Sequence, residues 1–271
     1  MDYLAPAKLN LFLHVTGRRP DGFHDIETVF QLIDLQDTVR VSTRADGHIL
    51  REPAPTDPVL AQLPDEQDLT VRAARLLQQV SGTRLGADIH VEKRIPAGGG
   101  LGGGSSDAAC VLTALNEQWA LHLPAGQLAE LGLALGSDVP VFVHGRNAFA
   151  SGRGEQLTPL ALPPRWFLII DPGIAISTRE LFAAPELTRD TPALTMRALP
   201  AEGGHNDFEP VARARYPQLR AVFEQLAPWH PRLTGTGAAV FTAFQTRAEA
   251  EAVAGQLSAG WRTFVVRGLD R

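Results

Sequence analysis

A run of glycines constrains this 271-residue chain more than any other stretch. Residues 96–109 read PAGGGLGGGSSDAA, with six glycines in the seven positions from Gly98 to Gly104. Glycine loses more backbone entropy on folding than any other residue, so an ordered run is expected where the backbone turns sharply or closely approaches another group. A flexible linker is the alternative interpretation, and the flanking patterns decide between the two.

The flanks of this run predict a strand before it and a helix after it. Residues 87–95, ADIHVEKRI, alternate between apolar and polar side chains, as half-exposed strands do. Residues 105–119, SSDAACVLTALNEQW, have apolar side chains at helical spacing, and Ser105, Ser106 or Asp107 suits the N-cap. Exposed amides at the N-terminus of a helix bind anions. The pattern therefore favours a phosphate-binding loop over a linker.

Two common nucleotide-binding motifs fit this loop poorly. Gly98, Gly100 and Gly103 match G-x-G-x-x-G, but the preceding strand is half-polar and no acidic strand end follows where a ribose contact belongs. A Walker A loop requires a lysine directly after its last glycine, and here Ser105 follows Gly104. A cation for the phosphates is therefore expected from elsewhere in the chain.

Lysine is rare in this sequence. Of 25 lysine and arginine residues, only Lys8 and Lys93 are lysines. An ammonium is a compact charge that suits phosphates and tunes a neighbouring carboxylate. A strand predicted over residues 8–15 has period two, so Lys8 and Asn10 share one face.

An aspartate in a turn supplies a candidate base. Asp138 lies in GSDVPVFVHG, between a predicted helix and a predicted strand. Taken alone, an aspartate there is more often a local turn-former. Phosphoryl transfer, however, needs positioned phosphates, a cation and a group that removes a hydroxyl proton. The loop, Lys8 and Asp138 together match those needs.

The remaining patterns predict alternating strands and helices without an internal repeat. We expect a domain boundary near Gly154, giving domains 1–154 and 155–271, the second an α+β sandwich of helices on one sheet. The expected strands cover 27–32, 38–42, 166–171, 233–244 and 262–268, with a hairpin over 145–160 and loops over 52–68 and up to His205; the expected helices cover 69–80, 127–135, 179–182, 208–226 and 248–257.

Composition excludes several function classes. The chain is 44% hydrophobic and 20% charged, with no apolar run near the ~18 residues of a membrane span. Its first residues lack the features of a signal peptide, so we expect a cytoplasmic protein. The single cysteine, Cys110, lies in an apolar helical pattern typical of a buried structural thiol. A net charge of −5 disfavours a nucleic-acid-binding surface, and neither zinc-ligand spacing nor a G-x-S-x-G elbow is present.

Four stretches resemble successive motifs of the GHMP small-molecule kinases. They are APAKLNLFLHVTGRRPDGFHDIETVF, KRIPAGGGLGGGSSDAA, LGSDVPVFVHG and RLTGTGAAVF, and they extend from Ala5 to Phe241. The first stretch, with Lys8, Asn10 and GFH, resembles the cytidyl branch of this family. The resemblance implies a two-domain α+β architecture with the active site in the interdomain cleft. It also implies ATP-dependent phosphorylation of the 2-hydroxyl of 4-diphosphocytidyl-2-C-methyl-D-erythritol, in the non-mevalonate route to isoprenoid precursors.

The resemblance implies roles for individual residues as well. Asp138 would be the general base, and Lys8 the cation that keeps it ionised and orients the hydroxyl. The substrate-binding residues would be Asn10 at the diphosphate, His24 and Lys93 near the cytidine, Phe23 and Phe182 on the two faces of cytosine, and Thr178 nearby. Phe23 stands where the family usually has tyrosine, and Asp68 where it often has asparagine near adenine.

ATP and Mg²⁺ are the implied cofactors. The ATP phosphates would contact the backbone of Pro96, Ala97, Gly98, Gly99, Gly100, Leu101, Gly102, Gly103, Gly104, Ser105 and Ser106. The magnesium ligand stays open, with the Ser105 and Ser106 hydroxyls as candidates. The expected partner is the small cytidyl diphosphate substrate, with no nucleic acid and no membrane, and we expect a monomer or weak homodimer.

Two other functions stay open from the sequence. A related kinase of a simple alcohol such as mevalonate or homoserine would need neither Phe23 nor His24 in a base pocket. A non-catalytic nucleotide-binding or RNA-binding protein could use the same scaffold, but the presence of both Lys8 and Asp138, with the acidic balance, argues against it.

Overall fold

A computed structural model of the chain describes residues 1–52, 63–194, 204–257 and 260–270. The chain divides into two compact units: unit 1 comprises Met1–Ala7, Leu35–Ile95 and Gly102–Gly145, and unit 2 comprises Lys8–Asp34, Pro96–Leu101 and Arg146–Arg271. The predicted boundary near Gly154 cuts the chain once, whereas each of these two units is made of three segments. The domains 1–154 and 155–271 stay a prediction.

Strands β1 (Asp2–Arg18) and β2 (His24–Arg44) pair with each other, and each contributes residues to both units. In unit 1, β3 (Ile49–Arg51) is parallel to β4 (Gly86–Glu92), which is antiparallel to β2 from Thr38 to Arg44. Among its described residues, this unit has the helices α1 (Leu69–Ser81), α2 (Gly103–Gln118), α3 (Ala125–Leu133) and α4 (Val139–His144).

The core of unit 1 lies between its strands and the first two helices. Val39 and Ile89 of the strands pack in one cluster with Leu77 of α1 and Leu112 of α2, and none of the four is exposed. Burying such side chains is the main favourable term in folding, at roughly 25 cal/mol per Å² of apolar surface. The regular apolar spacing of α1 and α2 thereby fixes where the first turn of α2 lies.

The described part of unit 2 contains a hairpin, a second sheet and four α-helices. The hairpin strands are β5 (Ala148–Ser151), which pairs with the first half of β2, and β6 (Gln156–Pro159). The second sheet has the order β10–β7–β9–β8 and is antiparallel throughout, with β7 (Trp166–Asp171), β8 (Arg232–Leu233), β9 (Val240–Phe244) and β10 (Arg262–Arg267). The helices are α5 (Thr178–Ala183), α6 (Phe208–Arg215), α7 (Pro217–Leu226) and α8 (Arg247–Ala254).

Most of the predicted elements are confirmed, and four differ. The strand expected over 233–244 is divided into β8 and β9, with a turn between them. Strand β2 runs unbroken over 21 residues where two strands were expected. The helix expected over 208–226 is broken between α6 and α7, because Pro217 lacks an amide and drives Tyr216 to an extended conformation with φ −119° and ψ 98°. The segment after Asp138 is the short helix α4 rather than a strand, begun by Pro140 near its N-terminus and ended by Gly145 in a left-handed conformation.

Two predicted loops fall partly outside the described residues, at 53–62 and at 195–203. Cys110 is half-buried in α2, and burial raises the pKa of its thiol to about 12, as expected of a structural thiol. None of the helices in the described ranges is both long and apolar enough to cross a membrane.

Candidate active site

The glycine run forms a loop over residues 96–102 that leads directly into α2. Gly98, Gly100 and Gly102 adopt left-handed φ angles of 71°, 72° and 75°. At Gly100 a Cβ atom would lie 2.3 Å from the carbonyl oxygen of Thr234, so glycine is required there by space as well as by backbone conformation. The expectation of an ordered turn rather than a linker is confirmed.

The helix after the loop begins earlier than predicted. Its N-cap is Gly102, not Ser105, Ser106 or Asp107, which all lie in the first turn of α2. The left-handed backbone at Gly102 turns the chain into the helix without a capping side chain. The serine and aspartate side chains of this turn are therefore released for other contacts.

The loop carbonyls are held by unit 2. The oxygen of Gly99 accepts from the amide of Ala239 at 3.1 Å, and the oxygen of Leu101 accepts from the amide of Lys8 at 3.0 Å. The oxygen of Gly100 accepts from Lys8 Nζ at 2.8 Å. Within the described ranges, the amides of Gly100, Leu101 and Gly102 have no hydrogen-bond acceptor. Because backbone donors are nearly always satisfied, these amides are suited to an anionic ligand.

Lys8 and Asn10 lie side by side, as the period of β1 predicts. Lys8 is 2% exposed, and its Nζ is 2.5 Å from Asn10 Oδ1 and 5.5 Å from the centre of the Phe30 ring. Asn10 is itself held by two hydrogen bonds. Its side-chain Nδ2 donates to Thr28 Oγ1 at 2.9 Å, and its backbone amide donates to Thr234 Oγ1 at 3.0 Å. A buried ammonium is thus fixed directly beside the glycine loop.

Asp138 lies in unit 1, directly before α4. It is half-buried, with φ −85° and ψ −13°, and its side chain accepts no capping hydrogen bond from the backbone of α4. Its side chain therefore does not serve as the cap of α4. Its role as a base stays a prediction.

Lys93 links the two flanks of the glycine loop within unit 1. Its Nζ lies 2.5 Å from Asp37 Oδ2 and 2.7 Å from Oδ2 of Asp107 in the first turn of α2. The other oxygen of Asp37 accepts from the amides of Arg94 and Ile95 at 2.5 and 2.8 Å. Asp37 has no exposed surface, and no signal in the sequence identified it.

Charge in this cluster is unevenly balanced, since two carboxylates share one ammonium. Burial raises the pKa of Asp107 to about 7, against the attraction of Lys93. Burial also opposes the charge on Lys93, but the two carboxylates outweigh it and raise the pKa of Lys93 above its usual value. The Lys93 ammonium is thus engaged in two ion pairs, and its contact with cytidine stays a prediction.

Two buried oxygen atoms in the first turn of α2 are unused by the described residues. Ser106 Oγ and Asp107 Oδ1 have no hydrogen-bond partner in the part of the chain that the structure describes. A buried hydroxyl without a partner costs free energy unless a ligand satisfies it. Ser106 is therefore an available oxygen ligand next to the loop.

A cluster of three rings, those of His24, Phe182 and Phe208, lies in unit 2. The His24 ring stacks on Phe182 with centres 4.9 Å apart and planes 27° apart, and Phe182 meets Phe208 edge-on at 4.7 Å. Arg189 Nε donates to His24 Nε2 at 3.2 Å. The structure thus brings together His24 and Phe182, and it adds Arg189, which the sequence analysis missed.

Phe23 and Thr178 complete the predicted substrate residues. Phe23 is 50% exposed, with the guanidinium carbon of Arg153 3.9 Å from its ring centre. Thr178 begins α5, and its hydroxyl is 2.8 Å from that of Thr236. His24 covers one face of Phe182, so the sandwich of cytosine between Phe23 and Phe182 stays a prediction.

Asp68 has a structural explanation. It is the N-cap of α1, where its carboxylate accepts from the amides of Thr70 and Val71 at 2.8 and 3.3 Å, and it pairs with Arg51 at 3.0 Å. A carboxylate both caps the helix and pairs with the arginine, whereas an asparagine would supply only the cap.

Comparison with known proteins agrees with these motifs. The profile of the GHMP kinases N terminal domain matches residues 68–146, and that of the GHMP kinases C terminal region matches residues 184–263. Two similar relatives are 4-diphosphocytidyl-2-C-methyl-D-erythritol kinases. The one from Alkalilimnicola ehrlichii is 53% identical over 98% of this chain and 90% of its own length, and the one from Thiobacillus denitrificans is 51% identical over 98% and 95%.

Solved structures give the same result. A crystal structure of 4-(cytidine 5'-diphospho)-2C-methyl-D-erythritol kinase has a TM-score of 0.83 and 34% identity, covering 99% of this chain and all of that one. Mevalonate kinase from Methanococcus jannaschii shares the fold at a TM-score of 0.70 and 15% identity, covering 99% and 98%. The expected two-domain α+β architecture is confirmed. This chain belongs to the GHMP kinase family, in the same group as the 4-diphosphocytidyl-2-C-methyl-D-erythritol kinases.

Proposed function

We propose that this small-molecule kinase transfers the γ-phosphoryl group of ATP to the 2-hydroxyl of 4-diphosphocytidyl-2-C-methyl-D-erythritol, in the non-mevalonate route to isoprenoid precursors. The observation that carries the proposal is the Lys8 ammonium, held by Asn10 and by the Gly100 carbonyl, beside a loop whose amides lack acceptors in the described chain. Relatives of that name, at 53% and 51% identity over nearly the whole chain, support the choice of substrate.

In this proposal Asp138 is the general base and Lys8 the cation beside the reacting hydroxyl. Transfer to an alcohol leaves a hydroxyl proton that must be removed as the phosphoryl group arrives. A carboxylate takes that proton, and an ammonium favours the ionised carboxylate and donates to the hydroxyl oxygen. The active site in the interdomain cleft stays a prediction.

The ATP phosphates would be bound by residues 96–106, whose first-turn amides and free loop amides donate to oxygen anions. For Mg²⁺ we propose Ser106 as a ligand, with Ser105 as the second candidate, because the buried Ser106 hydroxyl has no partner among the described residues. Magnesium accepts one or two oxygen ligands from the protein and takes the rest from water and phosphates. When bound, it neutralises charge on the transferring phosphates.

The substrate's cytidyl end would be recognised by Phe23, His24 and Phe182, with Thr178 nearby, and Asn10 would contact the diphosphate. The stacked His24 and Phe182 rings support an aromatic base site, which a kinase of mevalonate or homoserine would not need. A cytoplasmic location and a monomeric or weakly dimeric state stay predictions.

A coupled assay of ADP release tests the proposed substrate. The enzyme is given ATP, Mg²⁺ and one of three alcohols: the cytidyl substrate, mevalonate or homoserine. We expect turnover with the cytidyl substrate and at most a trace with the other two. Comparable or better turnover of mevalonate or homoserine would contradict the proposal.

Asp138→Asn tests the base. The amide keeps the size of the side chain but cannot take a proton, so kcat should fall by about 10²–10⁴, the usual worth of a general base. Steady-state kinetics measure kcat and the KM for ATP, and a thermal melt measures Tm. The KM for ATP and Tm should change little. Near-normal turnover, or loss of activity together with loss of Tm, would contradict the assignment.

A further inference from the structure

Arg189 is fixed by backbone contacts after α5. Its guanidinium donates to the carbonyl oxygens of Phe182 at 2.8 Å, Ala184 at 2.7 Å and Leu187 at 2.9 Å. The remaining Nε donor points at His24 Nε2, 3.2 Å away. A planar fork with three backbone partners has little freedom, so the direction of its fourth hydrogen bond is set by the fold.

The chemistry of arginine decides where the ring proton of His24 lies. A guanidinium has donors only, so the nitrogen that faces it must offer a lone pair. Burial first, and then the charge of Arg189, lower the pKa of His24, which keeps the imidazole neutral at pH 7. A neutral ring that accepts at Nε2 carries its single proton on Nδ1. In the described ranges no residue hydrogen-bonds to Nδ1.

A ring fixed in this form has a definite preference among pyrimidines. An Nδ1–H donor complements cytosine, whose N3 is an acceptor, and opposes uracil, whose N3 carries a hydrogen. The other tautomer, with a lone pair on Nδ1, would have the opposite preference. Stacking on Phe182 also limits the orientation of the ring.

We propose that Arg189 is a specificity-determining positioning residue, which holds His24 as an Nδ1–H donor and thereby makes the base site select cytosine over uracil. This inference rests on the proposed function, since it needs the cytidyl end of the substrate to meet His24. If Arg189 served only to close the end of α5, its loss would lower stability and leave the choice of base unchanged.

Nuclear magnetic resonance of the free enzyme tests the tautomer without any substrate. Two-bond correlations between the ring hydrogens and nitrogens of His24 distinguish a protonated Nδ1 from a protonated Nε2. We expect protonated Nδ1 in the wild type and a substantial population of the Nε2–H form in Arg189→Met. Protonated Nε2 in the wild type would overturn the proposal.

Kinetics test the consequence for specificity. The measured quantity is the ratio of kcat/KM for the cytidyl substrate to that for its uridyl analogue, with the KM for ATP recorded in parallel. Arg189→Met should lower this ratio by about tenfold, the worth of one neutral hydrogen bond, mainly through KM of the cytidyl substrate. If Arg189→Met does not fold, Arg189→Gln keeps amide donors for the α5 carbonyls and carries the same test.

Arg220→Met is the matched control. Arg220 is exposed and also donates to backbone carbonyls, those of Arg213 and Ala214 at 3.4 and 3.5 Å, but it hydrogen-bonds to no histidine among the described residues. Its replacement should leave the ratio unchanged. An unchanged ratio in Arg189→Met, with normal turnover of the cytidyl substrate by the wild type, would overturn the role of Arg189. Absence of wild-type turnover with the cytidyl substrate would instead contradict the proposed function.

Discussion

Lys8 shows how closely a single residue is matched to its surroundings. Its ammonium meets two neutral oxygens, Asn10 Oδ1 and the Gly100 carbonyl, and the residue is 2% exposed. A guanidinium is wider and planar, and it cannot replace a point charge in the same space. Apart from Lys8 and Lys93, every lysine or arginine position in this chain is an arginine. The geometry around Lys8 explains why a lysine is found here.

Lys8→Arg should therefore impair catalysis although it keeps the charge. We expect kcat to fall by about 10²-fold, comparable to the loss of one donor that stabilises a transition state. Steady-state kinetics with the cytidyl substrate measure this, and circular dichroism checks that the variant is folded. A kcat within a few-fold of the wild type would show that the ammonium geometry is not needed.

At the scale of elements, the glycine loop is anchored on both sides. Asp37 of β2 binds the amides of Arg94 and Ile95 before the loop, and Lys93 pairs with Asp107 after it. Both anchors are buried, so they hold the end of β4 and the first turn of α2 at a set distance. The loop between them is short, and its shape is constrained by those ends.

Removing the shared ammonium should destabilise this arrangement. Lys93→Met leaves Asp37 and Asp107 buried without a cation, which typically costs about 3–5 kcal/mol of unfolding free energy. The loss should be larger at pH 8 than at pH 6. Folding raises the pKa of Asp107 to about 7 in the wild type, so this carboxyl lowers stability as pH rises from its unfolded pKa to about 7 and has no further effect above that. Without the ammonium the folded pKa of Asp107 is higher still, so the variant continues to lose stability above pH 7 while the wild type does not.

Urea unfolding at the two pH values measures this effect. The double variant Lys93→Met with Asp107→Asn is the matched control, and it should recover part of the loss and most of the pH dependence. Equal stability of Lys93→Met and the wild type would contradict the anchoring role. If Lys93→Met keeps its stability and steady-state kinetics show only a higher KM for the cytidyl substrate, the predicted contact of Lys93 with cytidine is supported instead.

At the scale of the whole molecule, contacts between distant parts of the sequence hold unit 2 together. Asn147, 1% exposed, accepts from the amide of Leu32 at 2.8 Å and donates to the carbonyl of Leu269 at 2.7 Å. Gln31 donates to the same Leu269 oxygen at 3.0 Å. One amide side chain thus joins β2, the start of the hairpin and the stretch after β10.

Asn147→Ala should lower stability without changing catalysis. It leaves the Leu32 amide without its acceptor, at about 1–3 kcal/mol for an unsatisfied buried group, and removes one of the two side-chain donors to the Leu269 carbonyl, which keeps the bond from Gln31. Asn116→Ala is the control, because Asn116 also makes two backbone hydrogen bonds, both to Leu123, but is only half-buried and spans seven residues. We expect a clearly smaller loss for Asn116→Ala in urea unfolding. Equal losses would show that burial and long-range closure do not matter here.

Much of this fold follows from local patterns. Period-two alternation predicts that Lys8 and Asn10 share a face, apolar spacing predicts α1, and the glycines predict an ordered loop before a helix. Each of these depends only on residues within a few positions of one another. The break before Pro217 and the start of α2 after Gly102 also depend on local residues, a proline and a glycine, although our sequence analysis does not predict them.

What the sequence by itself determined is therefore the chemistry available: an ordered glycine loop before a helix, two lysines among many arginines, an aspartate before a short helix and the motifs of a kinase family. Only the tertiary structure decided the partners of these groups. Arg189 meets His24 across 165 positions, and Thr234 lies against Gly100 across 134. Local spacing carries no information about such pairs, because their hydrogen bonds form only after the strands and helices have packed and brought distant backbone together.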